Sequence, residues 1–207
     1  RGDGCGARHC AEQGEAPRFG KQLRVVLQNA GNIDPESIEE YIANDGYEAL
    51  GRALTEMKPA DVLETVKNSE LLGRGGAFFP TGLKWSFAAA EKATPKYIVC
   101  NADEGEPGTF KDRLILEGDP HLILEGMALA GYAVGASMGY IYIRGEYKMS
   151  IDRINRAIEQ ARENGLLGEN LFDSRFSFDI EVREGAGAYI CGEETALIES
   201  IEGKRGE

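Results

Sequence analysis

The chain has 207 residues, with 23 basic against 35 acidic side chains and a net charge of −12. Recognition of phosphate by a whole surface needs a basic face, so this balance excludes nucleic acid or an anionic membrane as the expected partner. Apolar residues make up 42% and charged residues 28%, the composition of a globular chain with a core, and no apolar run approaches the roughly 18 residues of a membrane-spanning helix.

The four cysteines, at positions 5, 10, 100 and 191, are too few and too scattered for a secreted disulfide framework, and a cytoplasmic, reducing setting is expected. The chain starts Arg1-Gly2-Asp3-Gly4, with neither an initiator Met nor a leader pattern, and reads as a piece of a longer polypeptide. Glycine stands out: 27 residues, about twice the usual share, without a Gly-X-Y period. Such an excess asks where the backbone needs close approach or positive φ.

In chain order, residues 1–20 lack apolar periodicity and read as a linker or the tail of a missing N-terminal domain. Residues 21–70 form an N-terminal strand and helical segment. Its strand is residues 23–28 (LRVVLQ), followed by a helix capped by Asp34, with Pro35 in its first turn and Ile38, Tyr41 and Ile42 on one face. Two further helices are expected over 46–57 and 60–69, the second with Val62 and Val66 inward. Residues 71–207 form an α/β domain. Strands at 96–100, 139–144 and 176–182 alternate with helices at 120–136, 150–164 and 193–201. That alternation predicts a Rossmann-like, mainly parallel sheet with flanking helices. Gly126, Ala130, Gly131 and Ala133 suit the first of those helices to lying tightly on the sheet, and Ile151, Ile154 and Ile158 give the second its inward face.

Three segments carry chemistry. The first loop, Gly73-Arg74-Gly75-Gly76, nearly spells the dinucleotide fingerprint, but its sixth position is Phe78 and a helix precedes it where a strand is required. A ligand loop and a plain glycine-rich connection therefore stand about even. Behind it, Phe79, Trp85 and Phe87 offer stacking faces and Lys84 a cation, or else three core aromatics and a solvated lysine. Asn101, Asp103, Glu104 and Glu106 follow a predicted parallel strand, where they suit sugar hydroxyls or form a solvated turn. The second glycine loop runs from Gly185 through Tyr189 to Gly192, Glu193 and Glu194; its acids either cap a helix or accompany a bound redox nucleotide.

Together, GRGGAFFPTGLKWSF (from Gly73), NADEGEPGTFKDR (from Asn101) and GAGAYICGEETAL (from Gly185) closely resemble the flavin-bearing, NADH-oxidising subunit of respiratory complex I. The same module occurs in NAD-dependent multimeric hydrogenases and formate dehydrogenases, and the stretch ahead of Gly73 looks more like that branch. The resemblance runs from about Leu23 to the end of the chain. It implies the FMN-binding domain of the complex I flavin protein, with FMN held by Gly73, Arg74, Gly75, Gly76, Lys84, Asn101, Asp103, Glu104, Tyr189, Gly192, Glu193 and Glu194. Phe79 and Phe87 would sandwich the adenine of NADH, while Glu106 and Glu194 would meet its ribose and nicotinamide portions. The implied reaction is hydride transfer from NADH to FMN with no catalytic protein acid or base. Electrons would then pass to iron–sulfur partners, among them a thioredoxin-like 2Fe-2S subunit. The location implied is cytoplasmic, or peripheral on the inner face of a membrane within a complex. Running in reverse, the module would make NADH; a third reading is a non-catalytic nucleotide-binding scaffold.

Phe78 departs from the resemblance, since its position is small in the family; it narrows the approach, or the loop shifts to fit it. No CxxCxxC occurs, so the 4Fe-4S cluster of the family is expected only in the missing C-terminal segment. Cys5, His9 and Cys10 have no fourth partner and read as linker, and no metal site is expected. Cys100 and Cys191 read as buried, inert thiols.

Overall fold

The computed structural model describes residues 23–206. The cluster Cys5, His9 and Cys10 lies outside them. Three strands, β1 (Tyr97–Ala102), β2 (Met138–Arg144) and β3 (Asp179–Gly185), form one sheet in the order β1-β2-β3, parallel throughout. Parallel neighbours need long crossovers. Helices α5 (Lys111–Gly118) and α6 (Pro120–Val134) carry the chain from β1 to β2, and α7 (Lys148–Glu163) carries it from β2 to β3. Ahead of the sheet lie α1 (Ile38–Ala43), α2 (Glu48–Glu56), α3 (Pro59–Asn68) and α4 (Thr81–Ala90); α8 (Glu194–Ile201) follows it.

The pairing register aligns Cys100, Ile141 and Val182 across one face of the sheet. Ile141, Ile143 and Ile180 are fully buried, in one core with Leu124 and Ala128 of α6 and Ile151, Ile154 and Ile158 of α7. Gly131 permits the close approach of α6 to the segment that enters β3: a Cβ there would stand 2.6 Å from the Phe178 ring. Gly126 does not share this role, since nothing lies within 4 Å of its Cβ direction.

Buried glutamates tie distant elements together. Glu125 of α6 accepts from the Tyr41 hydroxyl at 2.7 Å, Tyr47 N at 2.9 Å and Leu50 N at 3.1 Å, capping α2 from another helix. Beside it His121, also buried, meets the Tyr47 hydroxyl through Nδ1 and Gln160 through Nε2. Desolvation pushes the Tyr41 and Tyr47 phenols up and the His121 imidazole down.

Several expectations are corrected. Residues 23–28 form bends and turns instead of a strand, and Leu23 and Val25 are exposed. Among the described residues the run has no ladder to join; Ala30 N donates to Leu27 O, and the Asn32 side chain donates to Gln28 O. The first helix is capped by Ser37, whose hydroxyl accepts from Glu40 N, while Asp34 closes the preceding turn by accepting from Glu36 N. Ile42 faces solvent. Helices α4 and α5 have no counterpart among the expected elements. The last strand begins at Asp179, because Phe178 exchanges two backbone hydrogen bonds with Gly168 and its ring stacks on Phe176.

Candidate functional site

The carboxyl ends of β1 and β3 release the chain into the two segments singled out by their polar and glycine content. Residues 103–106 follow β1 directly, and 186–193, with a 3₁₀ turn at Tyr189–Gly192, follow β3. The first glycine loop is brought to them by α3 and α4. It is pinned at its base by Gly73 N donating to Phe79 O at 2.8 Å and Thr81 N donating to Leu71 O at 2.9 Å. These loops wall a cleft of about 710 Å³, within the range of small-molecule sites.

Arg74, Gly75 and Gly76 form one wall, Asn101, Asp103, Glu104 and Glu106 the floor, and Tyr189, Gly192 and Glu193 the opposite wall. Five expected residues stand outside this lining. Gly73 spends its N–H on the loop base. Lys84 lies 3.8 Å from Glu194 in an exposed ion pair between α4 and α8. Phe79 and Phe87 are exposed. Trp85, the third aromatic of this stretch, packs on Val62 and Ala133 as a core residue. The lining also includes Thr109, Lys111 and Asp112, which sequence reasoning did not single out. They lie inside the segment beginning at Asn101, but at the start of helix α5.

The floor is built by hydrogen bonds that cross between loops. Asn101 donates from Nδ2 to Gly192 O at 2.8 Å and accepts at Oδ1 from Asp103 N at 3.1 Å, so one side chain ties the floor to the wall that carries Gly192. Glu104 is 5% exposed. Its carboxylate accepts from Asp112 N, Arg113 N and the Tyr147 hydroxyl, at 3.0, 3.3 and 3.2 Å, capping α5 from a distance. Arg144, at the end of β2, donates to the Glu104 carbonyl at 2.7 Å. Tyr142 of β2 meets Ser200 of α8 at 2.8 Å and packs so closely under Gly185 that a Cβ there would stand 2.8 Å from its hydroxyl.

The electrostatics follow from these contacts. Partial burial holds the Asp103 carboxyl above its usual range. Glu193 is held below it by the N–H groups of Ala196 and Thr195, which it accepts as the cap of α8. Tyr189 donates to Glu106 at 2.7 Å across the cleft, which pushes its phenol up. Lys111 lies 2.6 Å from Asp112 and 4.0 Å from Glu104. Burial pushes the Cys100 thiol up to about 12, consistent with an inert group. Among the described residues no group of three metal-ligating side chains occurs, and no helix is long and apolar enough to cross a membrane.

Fold and cleft together define a class: a parallel α/β domain whose ligand site lies beyond the carboxyl ends of its strands. The family model described as the Nuo51 FMN-binding domain matches residues 66–207, and the chain belongs to that family. All three motifs that carried the resemblance fall within the match. The NADP-reducing hydrogenase subunit HndC of Solidesulfovibrio fructosivorans is 62% identical over 187 residues, spanning 90% of this chain and 38% of that protein. An NADH-quinone oxidoreductase subunit of Rhizobium meliloti is 54% identical over 183 residues, spanning 88% of this chain and 44% of that protein. The crystal structure of an NAD+-reducing NiFe-hydrogenase in the H2-reduced state superposes with a TM-score of 0.70 at 40% identity, covering 81% of this chain and 28% of the other. The chain thus spans 38–44% of the length of these curated relatives.

Proposed function

We propose that this chain is the flavin-binding part of an NADH dehydrogenase module, an oxidoreductase that moves hydride from NADH to bound FMN. The observation that carries the reading is the meeting of all three motif segments around one cleft at the ends of parallel strands. FMN fits what is present. Gly75 and Gly76 have nothing within 4 Å of their Cβ directions, so their backbone lies open to a bulky ligand. Arg74 and Lys111 are cations lining the cleft, suited to a phosphate. Asp103 supplies acceptors for ribityl hydroxyls, and Asn101 and Glu104 hold the floor on which they stand. When bound, FMN supplies a two-electron acceptor that can return electrons singly.

Residues 71–207 are the FMN- and NADH-binding portion of this reading, preceded by the helical segment within 21–70. Phe79 and Phe87, exposed beside the glycine loop, are the stacking faces for adenine. Glu106 and Glu194 position the rest of the dinucleotide, and Gly73 and Lys84 support the loop and rim. No protein acid or base is needed for the bond-making. Partners in this reading are iron–sulfur subunits of a multi-subunit complex, including a thioredoxin-like 2Fe-2S protein, with the 4Fe-4S cluster on polypeptide outside this chain. The location is cytoplasmic or peripheral on the inner membrane face.

The reverse direction, NAD+ reduction within a hydrogenase complex, is favoured by the two likenesses whose names are hydrogenases. The test is to add FMN to the protein, then NADH without oxygen, and follow the visible absorbance of oxidised flavin. Bleaching by NADH is expected; retained flavin that NADH never bleaches would leave only a nucleotide-binding scaffold.

A further inference from the structure

Phe78 is the one aromatic of residues 73–87 to which neither the core nor the proposed dinucleotide contacts give a role. Its backbone sits at φ 52°, a left-handed conformation that glycine adopts freely and that is a genuine outlier for a bulky aromatic. The residue is 64% exposed, so its ring is left largely uncovered by the described chain. The loop cannot shed that strain by drifting, because its base is fixed by the bonds between Gly73 and Phe79 and between Leu71 and Thr81. Phe78 stands two residues after Gly76, the last residue of this loop to wall the cleft. On the same short stretch Phe79 is also exposed.

A strained backbone on a loop whose base is fixed, next to a cleft, is a reservoir that a ligand can use. An exposed aromatic ring recovers its hydration cost when a flat partner covers it. We infer that Phe78 is a binding residue for the dinucleotide: its ring is a further stacking face, covered when the planar end of NAD(H) enters the cleft. The inference rests on the reading of the cleft as a flavin and dinucleotide site. It differs from a ring that merely narrows the entrance, because the two assign opposite signs to its removal.

The test uses the FMN-loaded protein and NAD+, which binds without reducing the flavin. Dissociation constants come from calorimetric titration and stability from thermal unfolding, for the parent, Phe78→Gly and Phe78→Trp. Phe78→Gly is expected to melt higher, because the strain is gone, while NAD+ binds about tenfold more weakly, a change of about 1.4 kcal/mol. Phe78→Trp is expected to bind within about threefold of the parent, as a stacking role predicts. Unchanged or tighter NAD+ binding in Phe78→Gly overturns the inference while leaving the site reading intact. A parent protein that takes up neither FMN nor NAD+ overturns both.

Discussion

Glu104 gives the sharpest separation between a residue that touches a ligand and one that builds the wall around it. Its side chain is 1% exposed, and it satisfies two first-turn N–H groups of α5 and the Tyr147 hydroxyl. Glu104→Ala leaves those three donors without their acceptor in a site too closed for water to replace it freely. Removing one partner from a buried, charge-assisted set costs about 3–5 kcal/mol, and a loss of that size is expected. At about 2–4 °C per kcal/mol for a chain of this size, the melting temperature should fall by roughly 6–20 °C. Differential scanning calorimetry measures it, with FMN affinity read in parallel. A melting temperature within about 2 °C of the parent, less than the shift for 1 kcal/mol, accompanied by a large loss of FMN affinity, would refute this reasoning and make Glu104 a direct ligand contact.

Two further outcomes follow from burial and packing. Gly131→Ala puts a methyl 2.6 Å from the Phe178 ring, which is 0% exposed, and should cost about 1–3 kcal/mol by overpacking. Gly126→Ala on the same helix meets nothing and should stabilise by about 0.5–1 kcal/mol; urea unfolding of both variants checks the opposite signs. Burial holds the His121 imidazole below its ordinary 6.5. In the window between its folded value and 6.5 the unfolded chain therefore binds more protons than the folded one. Stability from this group is fully present above pH 6.5 and falls on acidification, with a slope of at most about 1.4 kcal/mol per pH unit. His121→Gln should flatten that slope on the acid side of pH 6.5, and a parent and variant with parallel pH profiles would contradict it.

Much of the layout is legible because it rests on local pattern. The Ile151, Ile154 and Ile158 stripe marks α7, the short apolar runs mark β1 and β2, and the alternation of strands with helices marks a parallel sheet. The glycine clusters point to the two loops, one between α3 and α4 and one after β3, that line the cleft. What escapes is set by long-range partners. Helix α5 starts without a cap of its own because Glu104, eight residues from Asp112, supplies the acceptor. Helix α4 has little amphipathic contrast, and no side chain caps it. Residues 23–28 have the composition of a strand but, among the described residues, no neighbouring ladder. Trp85 and Phe87 look alike as candidates for stacking; only the packing of Trp85 on Val62 and Ala133 tells them apart. For Glu193 the carboxylate caps α8 while the residue also lines the cleft, a combination visible only in three dimensions.

The central claim is that the three motif loops enclose a flavin nucleotide, and a comparison of FMN binding isotherms for the parent and Gly75→Val tests it most directly. A Cβ at position 75 meets no protein atom within 4 Å and projects from a residue that lines the cleft, so with valine there the fold should persist while the space for the ligand is lost. The expected result is one FMN per parent chain and binding weaker by about tenfold or more in Gly75→Val, a loss of at least about 1.4 kcal/mol, with the melting temperatures of the two apoproteins agreeing to within about 2 °C. Equal FMN affinity in the two proteins would contradict it.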